Sequence, residues 1–194
     1  MLITTDFEVA EPIDAVWNFF GDIPQVAKCL PGAELTGSTG DDSYTGNVII
    51  RMGPVKLEFG GKADITERNE ASKRLAVSGS GADAKGRGQA AMQLTAALTP
   101  IATGTRVVVS IDLQLSGAAA QYGRGMVNDV TTVLMNDFAG NMQSRLNAIK
   151  QGLSPDQVGA AKPASGLAIG LRAARMALAR VFRRFFLPYQ PRTS

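Results

Sequence analysis

Across residues 33–115 the side chains keep a period of two, interrupted only by glycine-rich punctuation. Successive side chains on a strand point to opposite faces, so a run this long commits the chain to a meander of short antiparallel strands with one dry face. The clearest stretch sets Val107, Val109, Ile111, Leu113 and Leu115 on one side and Arg106, Ser110, Asp112 and Gln114 on the other. Ala90, Met92, Leu94, Ala96 and Leu98 alternate in the same way. Earlier strands are predicted over 33–38, 44–51, 55–67 and 74–80, and Thr99-Pro100 and Thr103-Gly104 read as turns.

Before the meander, Ile3, Thr5, Phe7 and Val9 alternate with Thr4, Asp6 and Glu8, a half-buried strand. Glu11-Pro12 opens a helix with Asp14 in its first turn and Val16, Phe19 and Phe20 on its apolar face. Asp22-Ile23-Pro24 starts a second short helix that stops at Leu30-Pro31-Gly32. After the meander, residues 121–150 carry a helical pattern. Met126, Val130, Val133, Leu134, Phe138, Met142, Leu146 and Ile149 cover an arc wider than a surface helix needs. A curved sheet that embraces the helix accounts for that breadth. Strand, two short helices, six strands and a long C-terminal helix is the α+β order of the helix-grip fold, expected over residues 1–150.

Histidine is absent and Cys29 is the single cysteine. That removes Ser-His-Asp and Cys-His machinery, most zinc sites and any internal disulfide. No metal and no catalytic residue is expected, and chemistry on carboxylates or Tyr alone has no supporting constellation here. Cys29 reads as a small apolar residue packed at a helix end. Met1-Leu2-Ile3 runs straight into Thr4-Thr5-Asp6, without a charged-then-apolar leader, which predicts a cytoplasmic location.

Past Asp156 the composition changes. No acidic residue follows, whereas Lys162, Arg172, Arg175, Arg180, Arg183, Arg184 and Arg192 do. The overall charge of +3 therefore divides into a mildly acidic body and a basic tail. Residues 151–166, rich in Gly, Ala, Ser and Pro, read as a flexible linker reaching on the order of 20 Å. On a helix over 167–187, Leu171, Leu178, Phe182 and Phe185 share one face, while Arg172, Arg175, Arg180, Arg183 and Arg184 fan across the other. Such sorting suits a helix lying in a lipid interface. A spanning helix would place arginines in the bilayer core at about 3 kcal/mol each. Anionic lipid instead attracts each with about 1 kcal/mol. An acidic groove on a partner protein, a short coiled-coil seam and a disordered basic tail in solution are the rival readings. Residues 188–194 read as a disordered end, and no nucleic-acid partner is expected.

Residues 79–88, Gly-Ser-Gly-Ala-Asp-Ala-Lys-Gly-Arg-Gly, invite a phosphate-cradle reading. A cradle needs a strand-to-helix transition, and here strands flank both sides; glycines so placed mark bends or close approach. Asp83, Lys85 and Arg87 read as a solvated turn of mixed charge, as a polar pocket mouth or as a partner-docking patch, and Glu58 and Arg51 share that ambiguity.

Three patterns together resemble the carbon monoxide dehydrogenase G-subunit family of the START/Bet v 1-like (polyketide cyclase-like) superfamily. They are Cys29-Leu30-Pro31-Gly32-Ala33-Glu34; Gly53-Pro54-Val55 leading to Phe59-Gly60-Gly61; and Gly79 to Ala90 in a Gly-x-Gly-x-Asp-x-x-Gly-x-Gly-x-Ala form. The resemblance covers about residues 1–150. It implies a cavity between sheet and long helix, for which Trp17, Tyr44, Met92, Leu94, Val109, Ile111, Leu113, Met126, Val130, Leu134 and Phe138 are the candidate lining. It also implies a non-catalytic accessory role beside a molybdenum hydroxylase of the carbon monoxide dehydrogenase type. Such a protein would hold the hydroxylase at the inner face of the cell membrane and link it to the respiratory quinone pool. A hydrophobic small molecule, menaquinone or ubiquinone, is the expected ligand, and a purely structural adaptor or a cyclase-like enzyme is the alternative.

Overall fold

The computed structural model describes residues 1–52 and 55–158. Strand β1 (Leu2–Val9) is followed by helices α1 (Ile13–Gly21) and α2 (Ile23–Cys29). Six strands come next: β2 (Ala33–Ser38), β3 (Ser43–Met52), β4 (Val55–Asn69), β5 (Arg74–Asp83), β6 (Gln89–Ile101) and β7 (Gly104–Leu115). A 3-10 turn at Gly117–Gln121 leads into α3 (Arg124–Lys150). The strands form one antiparallel sheet in the order β1-β7-β6-β5-β4-β3-β2, so the meander is intact and β1 closes it on the β7 side.

Local chemistry explains where the elements begin. Asp22 accepts a hydrogen bond from the Gln25 amide at 3.1 Å, capping α2, and Pro24 occupies its first turn. The β6–β7 hairpin turns at Ala102-Thr103, between the paired residues Ile101 and Gly104. Thr99 and Pro100, expected in a turn, therefore lie within β6, opposite Arg106 and Thr105. Gly61 marks the bend of the sheet. A Cβ there would run into the Ser80 carbonyl and the Gly81 Cα, so β4 and β5 come closer than any other residue permits.

Packing falls into two clusters. The larger gathers Phe7, Trp17, Phe19, Phe20, Leu98, Val107, Phe138, Met142 and Leu146 at the end of the sheet covered by α1 and α2. Phe7 and Phe138 meet edge to face at 5.8 Å between ring centroids. The smaller gathers Leu57, Ala119, Val130 and Val133 at the other end. Helix α3 runs closest to β1, α1 and α2, and the backbones of β3 to β6 stand back from it.

The buried arc of α3 is broad, as its pattern predicted, but its ends differ. Met126 and Ile149, placed on the apolar face, are 46% and 47% exposed. They sit in the terminal turns, where sheet and short helices cover the helix from one side only. Val127, Asp129, Arg145 and Ala148 are buried instead.

The boundary at residue 150 is also corrected. Gly152 takes a left-handed φ of 72° and turns the chain back, with the Leu153 amide donating to the Ala148 carbonyl at 2.9 Å. A 3-10 turn at Pro155–Gln157 then packs on the body. The Arg145 guanidinium, 1% exposed, donates to Gln25 Oε1 at 2.9 Å, the Pro155 carbonyl at 2.8 Å and the Val158 carbonyl at 3.0 Å. Asp156 accepts from Gln25 Nε2 at 2.9 Å and pairs with Lys28, whose hydrogen bond, followed by that of Gln25, holds its carboxyl below the usual range. The first residues of the expected linker therefore belong to the domain. Residues 159–166, the basic segment 167–187 and the end 188–194 lie outside the described residues.

Phe138→Ala should lower stability by about 3–5 kcal/mol, the cost of emptying an aromatic core site. Ile149→Ala should change it by about 0.5 kcal/mol or less. Denaturant unfolding of the two variants measures both, and equal losses would contradict the assigned face of α3.

Candidate ligand-binding site

Strand register builds the concave face row by row. One row runs Tyr44–Ala63–Gly79–Met92–Leu113 across β3 to β7. Its neighbour runs Ile65–Val77–Leu94–Ile111–Ile3, from β4 to β1. Gly79 has no side chain, and the Met92 thioether lies across the gap: a Cβ at Gly79 would sit 2.8 Å from Met92 Cε. The long flexible methionine fills a place that a smaller residue would leave empty.

Burial separates the middle of this face from its ends. Leu75, Ala96 and Val109 on one side and Leu57 on the other are sealed. Between them Tyr44, Ala63, Met92, Leu113, Ile65, Val77 and Leu94 are only half-buried, although they point toward the helix. Leu134 and Met135 of α3 are half-buried above them. An inward-facing apolar strip that is sheltered but not sealed is the natural place for a hydrophobic guest.

The expected lining divides accordingly. Met92, Leu94, Leu113, Leu134 and Tyr44 border the strip, and the Tyr44 hydroxyl donates to the Asp41 carbonyl at 3.1 Å. Trp17, Val109, Ile111, Val130 and Phe138 are packed into the two clusters. The Trp17 ring is further covered by the Lys73 ammonium at 5.6 Å. Met126 projects from the first turn of α3 and lines nothing. Met135, which with Met92, Met126 and Met142 reads in the sequence as adaptable surface suited to a lipophilic guest, also borders the strip. Ile65 and Val77 were missed; their signal was inward parity on β4 and β5, obscured by the glycines beside them.

A groove of about 630 Å³ opens on the opposite, outer face. Thr45, Lys62, Ser80, Ala91 and Gln114, one residue from each of five adjacent strands, form its floor. Its lining mixes polar side chains with glycine, alanine and Leu115 in an open trough, and Lys62 is paired with Asp64 at 3.0 Å. Such a trough lacks the apolar enclosure a hydrophobic ligand needs. Beside Trp17, Phe20 and Leu75 a space of about 20 Å³ has room for little more than one water.

The segment 83–88 closes a loop. Asp83 is 4% exposed, and its Oδ1 accepts from the Glu58 amide at 3.1 Å and Arg87 Nη2 at 2.7 Å. Oδ2 accepts from Arg87 Nε at 2.8 Å and from the Lys85 and Arg87 amides at 3.1 and 3.3 Å. Arg87 Nη2 also reaches the Lys56 carbonyl at 2.8 Å. The Arg87 guanidinium, opposed by burial and helped by the three amides, holds the Asp83 carboxyl well below the usual range. Asp83 and Arg87, read as a docking patch, are thus engaged in tying β4 to the β5–β6 loop, and Lys85 alone of the three extends freely into solvent. The loop in turn braces the start of α3. Gly88 and Gly117 lie back to back, each leaving no room for a Cβ, and the Ala118 amide donates to the Arg87 carbonyl at 2.6 Å. Strands on both sides of the segment agree with the bend and exclude a helix-terminus cradle.

Cys29 is fully buried, with Sγ donating to the Gln25 carbonyl at 3.3 Å. Burial pushes its thiol up to about 11 against the opposing charge of Arg145. The thiolate is scarce at neutral pH, as the packing role requires. Among the described residues no cluster of His, Cys, Asp or Glu is arranged to hold a metal. No helix among them is long and apolar enough to cross a membrane. The expected membrane-binding residues from Leu171 to Phe185 are outside the described part.

A curved seven-stranded antiparallel sheet wrapped on a long C-terminal helix, with an apolar inner face, defines a helix-grip protein of the START-like class. The chain belongs to the carbon monoxide dehydrogenase G-subunit (CoxG) family, which it matches over residues 6–147. Similar solved structures include a conserved protein from Geobacillus kaustophilus, at 21% identity and TM-score 0.68, covering 76% of this chain and 95% of that one. A START superfamily protein from Mycobacterium smegmatis shares 13% identity at TM-score 0.54, covering 76% and 98%. An aromatase/cyclase from Streptomyces sp. R1128 shares 14% at 0.51, covering 77% and 97%. At these identities the likeness concerns the fold alone. Among curated proteins, none matches the sequence.

Asp83→Asn should lower the melting temperature at pH 7 and leave a smaller gap to the native protein in acid. A depressed carboxyl contributes fully above its unfolded pKa, near about 4, and that contribution fades as pH falls toward the folded value. Melting curves from pH 7 to pH 2 test the sign. A gap that widens below pH 4 would contradict the assignment.

Proposed function

We propose that the chain is a non-catalytic carrier that holds a quinone against the half-buried apolar strip of its concave face. On this reading it presents the quinone to a molybdenum hydroxylase of the carbon monoxide dehydrogenase type at the inner face of the cell membrane. The single supporting observation is that strip: Met92, Leu94, Leu113 and Leu134 face inward and remain half-exposed between two sealed clusters. Desolvating them returns about 25 cal/mol per Å² of apolar area, which an isoprenoid chain supplies and a small polar substrate does not. Membership in a family named for a component of carbon monoxide dehydrogenase supports the choice of partner. The arginine-rich segment 167–187 supports attachment to anionic lipid, where a molecule too insoluble to leave the bilayer unaided is found.

Protein purified from its native host should carry quinone in near-equal amount, measured by organic extraction and mass spectrometry. Leu94→Trp with Leu134→Trp, which fills the strip, should reduce quinone retention at least about tenfold, a loss of about 1.4 kcal/mol, while leaving the fold intact. Truncation after Val158, which keeps the Arg145 contacts, should release the protein and its hydroxylase from membranes. Release on truncation with no quinone in the native protein and no effect of the tryptophans would identify a structural adaptor instead.

A further inference from the structure

The end of the body where α3 begins concentrates positive charge. Arg51 and Lys56 are opposite one another in the β3–β4 pair. Arg87 Nη2 donates to the Lys56 carbonyl at 2.8 Å, and Lys85 stands exposed two residues before it. The 3-10 turn bonded to the Arg87 carbonyl runs on through Tyr122 to the exposed Arg124. The acidic groups here are already matched: Glu58 pairs with Lys56 at 3.1 Å, Asp83 with Arg87 at 2.7 Å, and Asp112 with the terminal ammonium of Met1 at 3.2 Å. Asp129 is turned inward. At the far end the cations are matched as well: Lys73 meets Asp14 and Glu70, Arg68 meets Asp42, and Arg74 meets Glu67. Among the described residues, Arg51, Lys85 and Arg124 are thus the cations left without an ion pair at the pole where α3 begins.

The same pole presents apolar surface. Met126 is 46% exposed beside Arg124. Behind it Val55, Phe59, Leu115 and Tyr122 are only partly covered around the small Leu57–Val130–Val133 cluster. Cations around a half-open apolar rim match the layered chemistry of a bilayer surface, phosphates outside and hydrocarbon beneath. An acidic protein groove would meet the charges but not the protruding methionine.

We propose that this pole, formed by Arg51, Lys85, Arg124 and Met126, is a second lipid-contacting surface, distinct from the tail. Its partner is an anionic phospholipid bilayer, and it orients the body with the α3 N-terminus toward the headgroups. The inference rests on the carrier reading, since contact here sets the apolar strip against the source of its ligand.

Cys29 is sealed and poorly ionised, so a cysteine introduced by Met126→Cys in the full-length chain can be labelled selectively with an environment-sensitive fluorophore. Vesicles of phosphatidylglycerol and phosphatidylethanolamine should brighten and blue-shift that label. Phosphatidylcholine vesicles should not, and a label introduced through Ala71→Cys at the far end should respond to neither. Lys85→Gln and Arg124→Gln should each weaken vesicle binding about fivefold. A chain that sediments with anionic vesicles while both labels stay dim overturns the proposal, as does a chain that does not sediment with them. Quinone uptake from detergent, measured in parallel, separates the two readings: uptake with a dim label overturns this surface alone, and a bright label without uptake overturns the carrier.

Discussion

A seven-stranded sheet has more inner face than one long and two short helices can cover, and this mismatch governs the structure. Helix α3 settles against β1, α1 and α2, where Phe7, Phe19, Phe20 and Phe138 provide bulk to pack. The strands left at a distance must curl to shelter their own apolar side chains. Gly61 permits the bend, and Met92 spreads over Gly79 to narrow what remains. The residual surface is neither core nor exterior. Its partly wetted apolar character is a direct result of geometry, and the proposed carrier role follows from it.

The charges that enter the interior are confined to the two ends. At one, Asp83 is saturated by Arg87 and by backbone amides, closing the loop that braces the start of α3. At the other, the buried Arg145 fastens the returning chain against α2, with Asp156 bonded to Gln25 at the surface beside it. Buried ion pairs contribute little net stability on average, but one so fully bonded fixes geometry at the point where it sits. Both are spent on loops, and the concave middle is left without an ionised group from the strands that line it.

Most of the fold was legible because it is written in periodicity. Alternation located every strand, and the breadth of apolar positions on α3 announced a gripped helix. Prolines and turn residues fixed the starts of α1 and α2. What could not be read was depth. Parity says that Val109 and Leu94 point the same way; it does not say that Val109 is sealed while Leu94 is half-open, since that depends on how far the helix stands off. Nor could spacing distinguish Asp83 as a docking group from Asp83 as a loop closure, because its partners include amides whose position depends on the turn itself. Arg145 was missed altogether. A lone arginine on a helix reads as solvent-facing until the chain returns to cover it, and the covering segment resembled a linker.

The seat of Arg145 has a mechanical consequence. Were the segment beyond Val158 held at a surface, as proposed, drag would reach the body at Val158, where a bare helix end would peel back one hydrogen bond at a time. Here the guanidinium grips Gln25 and two carbonyls at once, so those bonds share the load and must yield nearly together. The load would fall first on α2 and α3, which carry Gln25 and Arg145. A body pulled along a surface by its tail would therefore keep its concave face in shape under strain.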